Sequence, residues 1–250
     1  MDHITIFCAG TTQAVRYAAD ILSKAGANTV YEPCDSVTCA LLDIPSIGSG
    51  DQLRGGGDLR ALTAALPDDA VFIGGGLDHP LLEGRRIVDL LKKEAYLKEN
   101  ARITAYCALH LMAAALPVTL EDCPVLVIGW GRIGKILTSL LVRIGANVTV
   151  ATRDIRSVAS LGKLGIGAVL TDKIDPEKYR MIVNTAPAPI LSAEALRTCA
   201  NAVKLDLASC NGLDGDSVIR ARGLPGIHAP ESSGKLIARH VLTYLKEAFP

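Results

Sequence analysis

The chain has 250 residues, 49% of them hydrophobic, with 26 basic and 26 acidic residues and a formal net charge of zero. That much apolar sequence can bury a sizeable core in one large or two modest domains, and the pattern reads as two. Balanced charge gives no global footprint for nucleic acid or for an anionic membrane, so a small molecule is the expected ligand.

Met1-Asp2-His3 leads directly into a strand-like run with no basic n-region or cleavage pattern, so no export signal is expected and the chain reads as cytoplasmic. Ile4 to Cys8 predicts a strand, Ala9-Gly10-Thr11-Thr12 a turn, and Gln13 to Ala25 a helix stopped by Gly26. That turn lacks the second and third glycines of a dinucleotide fingerprint. Thr29 to Tyr31, Cys39 to Leu42 and Val71 to Ile73 read as short strands, the last before Gly74-Gly75-Gly76. Between them, Ser46 to Asp58 is glycine-rich and predicts a mobile connection, either facing a substrate or merely crossing the surface. From Arg85 to Lys98, Ile87, Leu90, Leu91 and Leu97 recur among charges as on a solvated helix.

Ala105 to Leu116 is apolar nearly all round, as in a helix buried between layers and joining two domains, with Pro117 ending it and His110 read as a satisfied core histidine. The wider stretch Ile103 to Leu120 holds Thr104, His110 and Pro117 and does not read as a membrane span. Seven scattered cysteines, Cys8, Cys34, Cys39, Cys107, Cys123, Cys199 and Cys210, form no CxxC pair and fit reduced thiols. No cluster of Cys, His and carboxylate has metal-ligand spacing, so no metal is expected.

Residues 125–154 then form a strand, glycine turn, helix, strand unit. Val125 to Ile128 make a buried strand, and Gly129-Trp130-Gly131-Arg132-Ile133-Gly134 follows as GxGxxG, the six positions assigned to a dinucleotide. Gly129 suits a tight turn, Gly131 a close approach of pyrophosphate to backbone, and Gly134 close packing of helix on sheet. Ile136, Leu137, Leu140, Leu141 and Ile144 recur at helical spacing, Gly145 suits the helix end, and Val148 to Ala151 is the second strand. At its end stand Thr152 and Arg153, a hydroxyl and a guanidinium that suit a 2′-phosphate and favour NADP. Asp154 leaves NAD open: a strand ending two residues later would put a carboxylate at the ribose.

Beyond it, Val169, Met181 to Asn184 and Val203 to Leu207 read as strands, with a helix from Ser192 to about Cys199. Ligands of open α/β sheets bind at the carboxyl ends of the strands, so Asn184-Thr185-Ala186-Pro187 and Ala208-Ser209 are expected to border the cofactor. Asn184 and Thr185 can hydrogen-bond near the nicotinamide ribose, and Pro187 stiffens the turn.

The glycine hexad, Val183-Asn-Thr-Ala-Pro187, Leu205-Asp-Leu-Ala-Ser209 and above all Gly223-Leu-Pro-Gly-Ile-His-Ala-Pro-Glu-Ser-Ser-Gly-Lys-Leu-Ile-Ala238 resemble the dipicolinate synthase family, in its A subunit. The resemblance covers residues 69–250 well and the first strand and helix more loosely. It implies a flavodoxin-like or Rossmann-like first domain, a second domain binding NADP and related to 2-hydroxyacid dehydrogenases, and a flavoprotein-like second subunit. The implied reaction is oxidation of a cyclic dihydrodipicolinate-type precursor during sporulation, the nicotinamide taking hydride. The family carries Asn and then Pro-Thr-Ala-Glu-Gly at the start of the joining helix. Here Asn100, Thr104 and Ala105 match, but Tyr106 and Cys107 replace Glu and Gly, removing a carboxylate that could serve as base or acceptor.

The fold expected is α/β: two Rossmann-like or flavodoxin-like parallel-sheet domains joined by a buried helix. Their bounds are 1–103 for the first, 104–122 for the joining helix and linker, 123–230 for the dinucleotide domain, and 231–250 for a C-terminal helix. That helix, with Leu236, Ile237, Val241 and Tyr244 at helical spacing, returns to the first domain or forms a homodimer face, the first being preferred. Candidate catalytic residues are His228 in the GLPG turn, His79 after the triple glycine, and Thr104, with Arg102 beside it. The expected activity is NADP-dependent oxidation of a small carboxylated acid held between the domains. Two alternatives stand beside it: a non-catalytic dinucleotide-binding or regulatory subunit of a flavoprotein complex, and a 2-hydroxyacid dehydrogenase, which the late loops disfavour for want of a clear Arg, Glu and His set.

Overall fold

The computed structural model describes residues 4–249, so the chain start read from Met1-Asp2-His3 lies outside the described residues. The chain divides into two compact units. One runs to Asn100 and resumes at Pro225, and the other is Ala101–Leu224.

In the first unit β1 (Thr5–Cys8), β2 (Asn28–Val30), β3 (Cys39–Leu41), β4 (Val71–Gly74) and β5 (Arg86–Asp89) form a parallel sheet in the order β2-β1-β3-β4-β5. This is the doubly wound order of flavodoxin-like folds. Its inner strands β1, β3 and β4 are buried throughout, because helices and loops cover both faces and no solvent side needs polar residues. Helix α1 (Gln13–Lys24) follows β1, and the short α2 (Leu59–Ala64) adds Leu59 and Leu62 to a core with Phe7, Leu42 and Phe72.

Two expectations fail here. Residues 85–98 are not one solvated helix: the β-branched pair Ile87-Val88 builds the edge strand β5, and α3 (Glu94–Ala115) begins only after a single 3-10 turn. Nor is 46–58 a loose connection. Ile47 bridges Leu53, Gln52 bridges Asp58, and the buried Ser46 hydroxyl donates to the Asp43 carbonyl while accepting the Gly75 amide.

Helix α3 continues into the second unit. It buries Ala101, Ala105, Ala108 and Met112 but exposes Arg102, Tyr106 and His110 one turn apart, so it is amphipathic rather than buried all round, and His110 is a surface residue.

The second unit is a six-stranded parallel sheet of β6 (Pro124–Ile128), β7 (Asn147–Thr152), β8 (Gly167–Leu170), β9 (Met181–Asn184), β10 (Val203–Asp206) and β11 (Val218–Arg220). Helices α4 (Arg132–Arg143), α5 (Ile155–Lys163) and α6 (Ala193–Thr198) connect it. The order β11-β10-β9-β6-β7-β8 is the dinucleotide-fold order, with the reversal falling between β6 and β9. Strand β11, which the sequence pattern does not reveal, pairs with β10 through Lys204, Leu205 and Asp206.

The GLPG segment is a short helix, α7 (Leu224–His228), and α8 (Pro230–Ala248) starts on a proline whose missing N–H costs nothing at a helix start. Helix α8 returns to α1 and buries Leu236, Ile237, Val241 and Leu245. The helices meet at Gly234, where a Cβ would lie 2.6 Å from the Ala14 carbonyl oxygen and 2.5 Å from Tyr17 Cβ. Backbone cannot yield as a flexible side chain does. Gly234→Ala should therefore lower stability by about 1–3 kcal/mol in a denaturant titration, as overpacked sites do, where Gly226→Ala, with open space at its Cβ, should not.

Helix α8 also meets the start of α3. Arg239 Nη1 pairs with Glu99 Oε2 at 2.8 Å, and His240 lies edge-on to the buried Tyr96 ring with its Nε2 3.8 Å from Glu99 Oε1. Burial holds the His240 pKa below its usual 6.5, helped by Arg239 and Lys93 and opposed by Glu99. The unfolded chain thus takes up this proton first as pH falls, and stability is lost from about pH 6.5 down through the folded-state pKa. Unfolding free energies at pH 8 and pH 5.5 should differ less in His240→Phe than in the natural protein.

Candidate functional site

The three fingerprint glycines do three different things. Gly129 has φ +101°, a left-handed conformation, and a Cβ there would sit 2.6 Å from Thr185 Oγ1. A Cβ on Gly134 would collide with the carbonyl oxygen of Gly129, so α4 can lie this close to β6 only with glycine. At Gly131 nothing stands within 4 Å of where a Cβ would be. Gly131 is also the N-cap of α4, so no side chain caps the first turn, and the positive end of a 12-residue helix opens at the sheet's carboxyl edge. Arg132 is exposed there, Ile133 is half-buried, and Lys135 Nζ lies over the Trp130 ring at 5.8 Å. This geometry fits a pyrophosphate: a smooth backbone, a first turn with no side-chain cap and a favourable dipole.

At the end of β7 the side chains separate. Thr152 is buried, and its hydroxyl accepts the Asp154 amide. Asp154 is the N-cap of α5, accepting from the amides of Arg156 and Ser157 and from the Ser157 hydroxyl at 2.8 Å. Those bonds hold its carboxyl below the usual range, with Ser157 the largest cause. Arg153 is exposed and makes no hydrogen bond or ion pair among the described residues.

The loops after β9 and β10 are braced from inside. Asn184 is fully buried: its Nδ2 donates to Asp206 Oδ1 and to the Ala186 carbonyl, and its Oδ1 accepts the Ala186 amide. Thr185 donates to the Ile128 carbonyl at 2.9 Å. Both side chains expected at the ribose are spent on the fold, and what the edge presents is half-buried Ala186 and exposed Pro187 and Ser209, with Ala208 buried behind. The centre of this network is a residue that the sequence did not single out. Asp206, with no exposure, accepts from Asn184, from the amides of Ala208, Gly212 and Leu213, and from Arg220. Its signal lay in the Leu205–Ser209 segment, where an aspartate at the end of an apolar strand needs buried donors.

The three catalytic candidates lie on different elements. His79, in the first unit, caps a 3-10 turn: Nδ1 accepts the Leu81 amide, and Nε2 faces Asp51 Oδ1 at 3.4 Å, so both nitrogens are engaged within the fold. Thr104 is buried on α3, and His228 is exposed at the end of α7. The first unit's own β1-α1 turn is closed by Asp43, whose carboxylate accepts the Thr11 and Thr12 amides and the Thr12 hydroxyl. No group of three or more His, Cys, Asp or Glu among the described residues is placed to hold a metal ion. No helix there is long and apolar enough to cross a membrane.

No protein-family model matches the chain. The A subunit of dipicolinate synthase from Bacillus subtilis (strain 168) is 28% identical over 174 residues, 65% of this chain and 59% of that protein. The crystal structure of its counterpart from Bacillus halodurans superposes with a TM-score of 0.84 at 20% identity, covering 97% of this chain and 98% of that one. The chain is a divergent relative of the dipicolinate synthase A subunit. Less than two thirds of the Bacillus subtilis protein is matched. A transhydrogenase from Sinorhizobium meliloti shares the fold more distantly, with a TM-score of 0.73 at 14% identity over 98% of this chain and 94% of that one. The fold is thus one the chain shares with a dipicolinate synthase A subunit and a transhydrogenase.

The glycines can be told apart by experiment. Gly131→Val should leave the melting temperature of the free protein nearly unchanged and abolish its stabilisation by a dinucleotide. Gly134→Val should lower the melting temperature of the free protein itself, because its Cβ meets backbone.

Proposed function

We propose that the protein is an NADP-dependent oxidoreductase resembling the dipicolinate synthase A subunit, oxidising a small cyclic dicarboxylate by hydride transfer to the nicotinamide. One observation carries the reading: an uncapped, unobstructed Gly131 at the start of α4, beside the reversal of strand order. The first-turn backbone of α4 would hold the pyrophosphate, and Trp130, Arg132, Ile133, Ala186, Pro187 and Ser209 would line its course. Thr185, Asn184, Thr152 and Ala208 act from behind by fixing those loops. Bound NADP supplies a hydride acceptor, so the protein's part is to orient the acid, neutralise its carboxylates and exclude water.

The preference for NADP rests on the ends of β7 and α5. With Asp154 committed to its cap, an NAD ribose finds no free carboxylate, while the unpaired Arg153 guanidinium suits a 2′-phosphate.

A second reading keeps the cofactor and moves the chemistry. Both nitrogens of His79 are engaged, and Tyr106, where the family has a carboxylate, is exposed on α3. A dinucleotide-binding protein completed by a second, flavoprotein-like chain would need no acid or base here. The Bacillus subtilis relative, itself named as one subunit of its enzyme, points the same way.

A ligand that binds only the folded state raises stability by mass action. NADPH should raise the melting temperature clearly more than NADH. Arg153→Ala should weaken NADPH about 10- to 100-fold, the range for a charge-assisted contact, and leave NADH within about twofold. Equal losses for both would remove the 2′-phosphate role. Turnover of a cyclic dicarboxylate by the chain alone supports the first reading, and turnover only with a flavoprotein-like partner supports the other.

A further inference from the structure

Strand β11 moves Ala221, Arg222 and Gly223 to the carboxyl edge of the second unit's sheet, the same edge that carries Ala186–Pro187 and Ala208–Ser209. In the sequence Arg222 directly precedes the GLPG segment. In the fold it stands in the loop after a late strand, where the sequence showed no clear arginine.

Its guanidinium is held on one side only. Nη2 donates to the Cys210 carbonyl at 3.0 Å and to Asn211 Oδ1 at 3.2 Å, and lies 3.8 Å from Asp206 Oδ2. Nη1 is buried and has no hydrogen-bond partner. A buried charged donor without an acceptor is costly, and such groups in native proteins call for an explanation. Charge points the same way. Arg220 and Arg222 both pair with Asp206, and neither pairs with another carboxylate among the described residues. One acid facing two guanidinium groups leaves that cluster one positive charge in excess, and Ser209, Cys210 and Asn211 beside it are exposed.

The cofactor's own phosphates do not account for it. The open helix start and Arg153 lie on the β6-β7-β8 half of the sheet, whereas Arg222 lies on the β9-β10-β11 half, which takes the nicotinamide end in this fold. An anion there is a substrate anion. We propose that Arg222 is the anchor for a carboxylate of the substrate and that Asp206 is the residue that positions it. A small shift of Cys210–Asn211 brings the substrate carboxylate to Nη1, supplying the missing acceptor and neutralising the excess charge. The planar fork makes the site selective for carboxylate geometry. This rests on the oxidoreductase reading above and adds a substrate contact to it.

The test is calorimetric titration of pyridine-2,6-dicarboxylate, and of pyridine as the uncharged control, into the full chain saturated with NADP, with NADPH affinity measured in parallel. Arg222→Gln should weaken the dicarboxylate about 10- to 100-fold, the range for hydrogen bonds to charged groups, with NADPH held within twofold. Arg222→Lys should fall between, keeping charge without the fork. Asp206→Asn should weaken the dicarboxylate by freeing the guanidinium. A purely structural arginine would lower the melting temperature and both affinities together, which overturns the proposal. So does dicarboxylate binding by Arg222→Gln or Arg222→Lys equal to that of the natural protein. Natural protein that binds NADPH but no dicarboxylate overturns this assignment alone, and natural protein that binds no NADPH overturns the oxidoreductase reading with it.

Discussion

The carbonyl oxygen of Gly129 stands where a side chain on Gly134 would have to be, and the second unit is built around that contact. It lets α4 approach β6 closely enough to place the helix start at the reversal of strand order. The same niche is filled from the far side by Thr185, whose hydroxyl bonds the last carbonyl of β6 and leaves no space for a Cβ on Gly129. Thr185 is held in turn by a loop locked through Asn184 to Asp206. A single close approach in one strand-helix pair thus depends on a buried carboxylate two strands away.

The two units share an architecture and differ at the point that decides binding. Each is a parallel sheet with a helix following its first sequential strand, and each presents that helix start at the carboxyl edge. In the first unit Asp43 fills the position an anion would take, bonding two amides and a hydroxyl of the turn. In the second, the corresponding cap is a glycine with open space before it. The helix dipole favours negative charge at both places. In one the protein supplies the charge itself, and in the other it does not.

How much of this was legible in the sequence follows from the range of each interaction. The glycine unit could be read because every constraint in it is local: turn, helix start and next strand lie within residues 125–154. The all-parallel sheets could be read from short apolar runs such as Val71-Phe72-Ile73 and Met181-Ile182-Val183. Strand β5 could not, since Arg86-Ile87-Val88-Asp89 at a sheet edge has the mixed polarity of a solvated helix turn, and only pairing with β4 decides it. Strand β11 is three residues long, two of them exposed, and too short for any periodicity. The roles of Asn184, Thr152 and His79 were hidden for a related reason. Residue type shows that a polar group can bond a ligand, but whether it is already bonded depends on partners such as Asp206 and Asp51 that lie far along the chain or turn toward it only in the fold.

Charge completes the picture. The whole chain carries no net charge, so attraction of an anion to one point is set by the local arrangement of charges, within a screening length of about 10 Å. The second unit makes it by spending its carboxylates and leaving its guanidinium groups. Asp154 is turned into the start of α5 while Arg153 stays unpaired, and Asp206 is shared between two arginines while Arg222 keeps an unused donor. Under the proposed function these two surpluses stand at opposite ends of the bound dinucleotide, one for its 2′-phosphate and one for the acid presented to its nicotinamide. A capping aspartate and a buried aspartate, each an ordinary structural device, would then set where positive charge is left over for ligands.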